Sequence, residues 1–376
     1  MNILVDAQPL LGPATGIARY VKSIGELMQE DPHIQATFWI NRLVKSIHLD
    51  AGWPVHNNRY PYKLIRRFMK PNLLYDLPVD AFARTKYDLF HGTNFTIQPI
   101  RKRCSVVSIH DLAFLRNPNT TSAKIYAHHS KWVPYSAQRA ERVIAISEQT
   151  KEDIVELLHI PESKVDVIHL AADKKFKPVP SEAVRDTICK YNLPESYFLF
   201  VGTLEPRKNL LGLLQSFNQL KKTFHSEAKL VIVGAKGWKF DPIFQYVQEH
   251  GLQQEICFTG FIADEDLPAI YTGALAFVFP SWYEGFGIPL LEAMGCGVPV
   301  IASNASSIPE VVGDNGILLP PDAFEEWADA MRQFEIDSRH RDSYIEKSLE
   351  RATRFGWEQT YEKTKSTYRK ALGGNR

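Results

Sequence analysis

Pro280-Ser-Trp-Tyr-Glu284-Gly285-Phe286-Gly287-Ile288-Pro289-Leu290-Leu291-Glu292-Ala-Met-Gly295-Cys-Gly297-Val-Pro299 follows an apolar, β-prone run at 276–279. The stretch reads as the end of a strand, a glycine loop and the start of a helix. Pro289 suits a helix opening, because the N–H it lacks would have no intrahelical partner there. A strand feeding a helix through a short loop is the unit of a parallel sheet. Amides at such a helix N-terminus, with Gly285 and Gly287 letting backbone approach closely, form a cradle for an anion or for hydroxyls. Glu284 stands before the helix. Glu292 is expected in its first turn, where the helix dipole keeps a carboxylate ionised and able to accept hydrogen bonds from vicinal hydroxyls. Each glutamate alone is unremarkable, a solvated loop residue or a complement to the dipole; the pair flanking one glycine loop makes a candidate site.

The same strand-to-helix alternation runs through the chain twice. Strands are expected at 2–5, 36–39, 89–91, 105–109, 142–145 and 165–168, and again at 197–201, 229–233, 256–259, 276–279, 298–301 and 316–318. Helices are expected between them, among them 17–28, 148–158, 210–221 and 289–294. A chain of 376 residues exceeds what one core usually holds. The Pro-rich segment 176–181 is the expected linker between a domain at 1–176 and a second at 182–356. A last helix, within 357–376, is expected to cross back and brace the first domain. The fold class expected is α/β, with two doubly wound parallel-sheet (Rossmann-like) domains whose strand carboxyl ends face a deep cleft.

Composition excludes several classes. A net charge of +1 lacks the basic excess of a nucleic-acid binder, although residues 1–166 hold 21 Lys/Arg against 16 Asp/Glu. Cys104, Cys189, Cys257 and Cys296 lack the spacing of zinc or redox motifs, and the start has no basic n-region before an apolar run, so a cytoplasmic protein is expected. No Gly-x-Gly-x-x-Gly follows the first strand, which weakens an NAD-dependent dehydrogenase.

Taken in order, six segments resemble glycosyltransferase family 4, in its bacterial polysaccharide mannosyl- and glucosyltransferase branch. They are Asp6-Ala-Gln; Gly12-Pro-Ala-Thr-Gly16-Ile-Ala-Arg19-Tyr20; Ser108-Ile-His110-Asp111-Leu; Val143-Ile-Ala-Ile-Ser147; Phe200-Val-Gly202-Thr-Leu-Glu205-Pro-Arg207-Lys208-Asn209; and Glu284 to Glu292, which matches the family's E-x7-E motif. One departure is His169-Leu-Ala-Ala-Asp173, where many relatives carry Asn-Gly-Val-Asp.

The resemblance implies a GT-B fold and transfer of a hexose, with retention, from a nucleotide sugar (UDP-glucose or GDP-mannose) to a glycan or lipid-linked glycan. It implies that Glu292 holds the donor ribose, that Glu284 lies beside the hexose, and that Arg207 and Lys208 clamp the diphosphate. Amides of Gly285, Phe286 and Gly287 would hold sugar hydroxyls, and Gly16 would approach the phosphates; Gly202, Ile288 and Leu291 are expected on the donor side, and the backbone of Gly260, Phe261 and Ile262 is a candidate for the nucleotide base. His110 and Asp111 are implied at the reactive face. No cofactor and no metal are expected, since two cations can neutralise the leaving group. Asp264-Glu-Asp266 superficially matches a manganese motif but reads as helix capping. A GT-B epimerase or phosphorylase is the nearest rival reading. Residues 59–70, RYPYKLIRRFMK, interleave cations with aromatics, either as a lipid-surface element at the inner face of a membrane or as a solvated helix.

Overall fold

The computed structural model describes residues 1–12, 15–41, 49, 52–58, 86–98 and 104–373. Contacts cluster into two units: Met1–Pro118 with Ala123–Leu170 and Trp357–Arg376, and Ala171–Gly356 with Asn119–Ser122. Each is a parallel sheet flanked by helices.

In the first unit the strands are β1 (Asn2–Asp6), β2 (Gln35–Asn41), β3 (Val55–Asn58), β4 (Leu89–Gly92), β5 (Ser105–Ile109), β6 (Arg142–Ala145) and β7 (Val165–Val167). Their order is β3-β2-β1-β4-β5-β6-β7, every neighbouring pair parallel. Strands β4 and β5 are buried at every position, covered on both faces, with His91 and Ser108 as their paired polar residues. β3 was not expected: Val-His-Asn-Asn has no apolar run to show itself, and it pairs on one side only, at the sheet edge.

The second unit holds β8 (Tyr197–Val201), β9 (Lys229–Val233), β10 (Ile256–Gly260), β11 (Ala276–Phe279), β12 (Val300–Ser303) and β13 (Ile317–Leu319). They lie in the order β10-β9-β8-β11-β12-β13, again all parallel. β12 begins two residues later than expected, because Pro299 has no N–H for the ladder and restrains the residue before it.

Both sheets reverse their direction of growth once, between β1 and β4 in the first and between β8 and β11 in the second. At such a switch point, loops leaving the strand carboxyl ends diverge to opposite faces and open a crevice.

The Trp357–Ala371 helix belongs to the first unit. Lys365 Nζ and Tyr361 OH donate to Asp31 at 3.0 and 2.9 Å, and Lys370 and Thr367 bind Asp166 at 2.7 and 3.0 Å. Tyr368, fully buried, meets His91 Nδ1 at 2.7 Å, and Ser108 Oγ lies 2.8 Å from both His91 Nε2 and the Tyr20 hydroxyl. Burial, with His110 nearby, takes the His91 imidazole down to about 3, so the relay is neutral and satisfies its own polar atoms.

The segment ending in Ser147 follows β6 and caps the Glu148–Leu158 helix: Ser147 Oγ accepts from Thr150 N at 3.0 Å. Ser147→Ala is expected to lower stability by about 1 kcal/mol in urea unfolding.

Candidate functional site

At the second unit's switch point two loops are laced together. After β8 the chain passes Gly202, then forms one 3-10 turn, Pro206–Lys208, that ends at Asn209 with a left-handed φ of 53°. Asparagine tolerates that conformation, and its Nδ2 donates to Pro280 O at 3.1 Å and Pro321 O at 2.8 Å. Trp282 N donates to Arg207 O at 2.9 Å. Gly234, with φ 151°, lies so close to this loop that a Cβ there would fall 1.9 Å from Gly202 O. The ends of β8 and β9 can therefore meet only through glycine.

The lacing brings Arg207, Lys208 and Glu284 into one buried cluster, with Glu205 as a fourth member. Arg207 Nη1 donates to Glu284 Oε2 and to Tyr283 O, both at 2.8 Å, while its Nε and Nη2 share Glu205 Oε1 at 3.0 and 2.7 Å. Lys208 Nζ reaches Glu284 Oε1 at 2.6 Å and lies 5.0 Å from the centre of the Phe279 ring. Burial alone would push the Glu284 carboxyl up, but the charges of Arg207 and Lys208 outweigh it and bring it down to about 2. Glu205 moves up, through burial first and the negative charge of Glu284 second, against the pull of the two cations. Lys208 is drawn down by burial, with Glu284 pulling the other way. The cations are thus held in place by carboxylates, which sequence reading did not foresee; it placed Glu284 beside a sugar and the cations on a phosphate. Glu205 and Asn209 stand within the quoted motif but carry no assignment there.

The glycine loop is fixed from a third direction. Ser306 Oγ and Ser307 Oγ donate to Glu284 O at 2.5 and 2.9 Å, and Ser307 also donates to Phe286 O at 3.1 Å. Nothing in the sequence marks those serines, since they act through main chain. Gly287, with φ 109° and ψ 53°, precedes the Ile288–Gly295 helix, so Pro289 is the second helical residue and not the first. Glu292 is the fifth, beyond the first turn where it was expected, and so is too deep for the dipole of the free amides to be its main support. It is 2% exposed, and Tyr271 OH donates to its Oε2 at 3.0 Å. The side chains of Phe286, Ile288 and Leu291 are core, so only their main chain can serve a ligand.

At the end of β10, Gly260 adopts φ 68° and a Cβ there would meet nothing within 4 Å. Its neighbour Phe261 is 83% exposed, whereas Ile262 is buried. The expected capping by Asp264 and Asp266 is corrected: Asp266 precedes the Leu267–Thr272 helix without a side-chain cap bond. Its carboxylate takes Lys190 Nζ at 2.7 Å and Tyr191 OH at 2.6 Å instead, and Asp264 pairs with Lys175. Ion pairing with nearby donors outcompetes the weaker capping bond.

In the first unit Gly16 is the exposed opening residue of the Gly16–Glu30 helix, capped by Thr15. His110 follows β5 and donates Nε2–H to Thr93 O at 2.8 Å, its ring edge-on to Tyr20 and Phe95 at 5.3 and 5.4 Å. Burial lowers its proton affinity more than Thr93 and Asp111 raise it, so the imidazole is neutral. Asp111 Oδ1 accepts from Ala113 N at 3.0 Å, a local turn. At this unit's switch point lies a cavity of about 860 Å³, lined by Asp6 at the end of β1 and Gln8 beyond it, by Asn41, by Asn94, Thr96 and Gln98 after β4, and by the Ala123–Arg139 helix. Gln98 is 6% exposed, and its Oε1 has no hydrogen-bond partner among the described residues. This cavity was not foreseen. The basic-aromatic segment 59–70, and Pro13 and Ala14 of the first loop, lie outside the described residues.

Residues 189–351 match the family model of glycosyl transferases group 1, and residues 14–176 match that of Glycosyltransferase Family 4. O-antigen chain mannosyltransferase B of Escherichia coli is 30% identical over 381 residues, which span 98% of this chain and 100% of that one. The chain belongs to glycosyltransferase family 4. Among solved structures, the fold of this glycosyltransferase is shared by sucrose-phosphate synthase from Thermosynechococcus elongatus, with a TM-score of 0.75, 21% identity and 99% of each chain covered. It is shared too by Anabaena Alr3699/HepE in complex with UDP-glucose, with a TM-score of 0.75, 18% identity and 98% and 99% of the two chains covered. These are GT-B glycosyltransferases, and the two parallel sheets are the GT-B pair. No described helix of this glycosyltransferase is long and apolar enough to cross a membrane.

Proposed function

We propose that this glycosyltransferase moves a mannosyl residue, with retention, from a nucleoside-diphosphate mannose to the end of a growing glycan in polysaccharide assembly, without a metal. One observation carries the chemistry: two cations, buried Lys208 and half-buried Arg207, held at the switch point of the second sheet. A departing diphosphate gains charge in the transition state, and preorganised cations in a water-poor site stabilise it without reorganisation. The name of the E. coli relative supports mannose, and a guanosine carrier is the usual form of that donor; glucose on a uridine carrier is the second reading.

In the proposed reaction the acceptor hydroxyl forms its bond to the anomeric carbon on the face from which the diphosphate leaves. Its proton passes to a phosphate oxygen of the leaving group, so no protein base is required. The enzyme contributes position and charge. Glu292 receives the ribose hydroxyls, main chain of Gly285–Gly287 the sugar, and Gly260 with Phe261 the base. Neutral His110 offers a hydrogen-bonding group to the reactive face, not a charge. The acceptor enters the first unit's cavity, whose acid, amide and hydroxyl lining suits a sugar; Gln98 Oε1 can take a donor from it. A lipid-linked acceptor would bring the enzyme to a membrane surface.

Thermal-shift titration with guanosine and uridine diphosphates, followed by donor hydrolysis for each hexose, tests the donor. Glu292→Ala is expected to weaken nucleotide binding by about 2 kcal/mol, roughly thirty-fold in Kd. Activity that vanishes with a chelator and returns with manganese would overturn the metal-independent scheme.

A further inference from the structure

Tyr271 belongs to none of the motifs above. It lies on the Leu267–Thr272 helix and is fully buried. Phe176 packs edge-on to its ring at 5.8 Å and Phe277 at 5.5 Å. Phe176 is itself fixed, since its carbonyl lies 2.6 Å from where a Cβ on Gly295 would stand. Hydrocarbon packing therefore sets the place of the Tyr271 ring without help from the hydroxyl. Yet the hydroxyl donates to Glu292 Oε2 at 3.0 Å. A carboxylate as buried as Glu292 needs donors to stay ionised. Its charge is felt nearby: burial first, and Glu292 second, push the Cys296 thiol up to about 12.

We propose that Tyr271 is a positioning residue for the nucleotide: its hydroxyl pins one oxygen of Glu292, so that the carboxylate is already aimed and charged when the ribose of a nucleoside diphosphate arrives. The inference rests on the reading of Glu292 as the ribose ligand. A vicinal diol presents two donors at a fixed spacing, and a glutamate free to rotate would lose side-chain entropy on meeting them. The pin removes that cost before binding.

Tyr271→Phe keeps the packed ring and removes only the hydroxyl. Its Kd for guanosine or uridine diphosphate, whichever the wild type binds, is expected to rise about tenfold, with kcat within about twofold. In a Glu292→Ala background the same change should cost nothing further in Kd, because the carboxylate through which the hydroxyl acts is gone. A Tyr271→Phe protein with a lower unfolding midpoint but unchanged Kd would show a purely structural hydroxyl and end the proposal. So would losses that add in full in the double variant. A Glu292→Ala protein with wild-type Kd would instead remove the ribose reading on which the proposal stands.

Discussion

Arg207→Ala is expected to lower kcat by about 10²- to 10³-fold, equivalent to roughly 3–4 kcal/mol, with a much smaller change in the KM for donor. The asymmetry follows from what the guanidinium meets. Before transfer, the donor's diphosphate is an ester whose charge water and main-chain amides can share; as the glycosidic bond breaks, negative charge builds on the departing oxygen. Only an interaction that grows with that charge raises turnover. Arg207 is suited to it because Glu205, Glu284 and Tyr283 O already hold four of its N–H contacts in a rigid fork. Lys at this position would keep a charge but lose the fork, so Arg207→Lys should recover only part of the rate. Steady-state kinetics with a labelled donor decide the point; a kcat within threefold of wild type would remove Arg207 from the chemistry.

Glu284→Ala is expected to cost about 3–5 kcal/mol of folding stability, because it strands Lys208 and half of Arg207 as buried charge without a counter-ion. The pH dependence has a defined sign. The Glu284 carboxyl is lowered from 4.5 to about 2 in the folded chain, so its contribution is present above pH 4.5 and drains away as pH falls toward 2. The lowering amounts to about 3 kcal/mol. Lys208 has the same sign: burial makes its ammonium easier to deprotonate in the folded chain, so stability also rises with pH through that group, in the alkaline range. Urea unfolding of wild type and Glu284→Gln from pH 7 to 3 should therefore converge as the solution is acidified. Parallel curves would mean that Glu284 is not ionised against the two cations.

Much of this organisation is legible in the residues. Apolar runs such as Tyr197–Val201 and Ala276–Phe279 announce buried parallel strands, since such strands are covered on both faces and need no alternation. Gly285 and Gly287 before Ile288-Pro289 announce a loop that enters a helix. Local signals of this kind depend on neighbours a few residues away. The edge strand Val55–Asn58 was missed because an edge needs little apolar surface, and Glu292 was placed one residue too early in its helix because helix starts shift by a residue or two.

What pattern and spacing settled is therefore the kind of unit: parallel sheets, glycine loops at strand ends, and acidic and basic residues on those loops. Which of these groups touch was settled by the order of the strands. The order β9-β8-β11 puts β8 beside β11, so Arg207 and Lys208 meet Glu284 across 76 residues or more of chain, and Tyr271 meets Glu292 across a helix boundary. No local preference encodes such a pairing, because its energy appears only once two distant loops have been desolvated together. Glu284, which the sequence offers as a neighbour of the sugar, is in the fold also the counter-ion of Arg207 and Lys208.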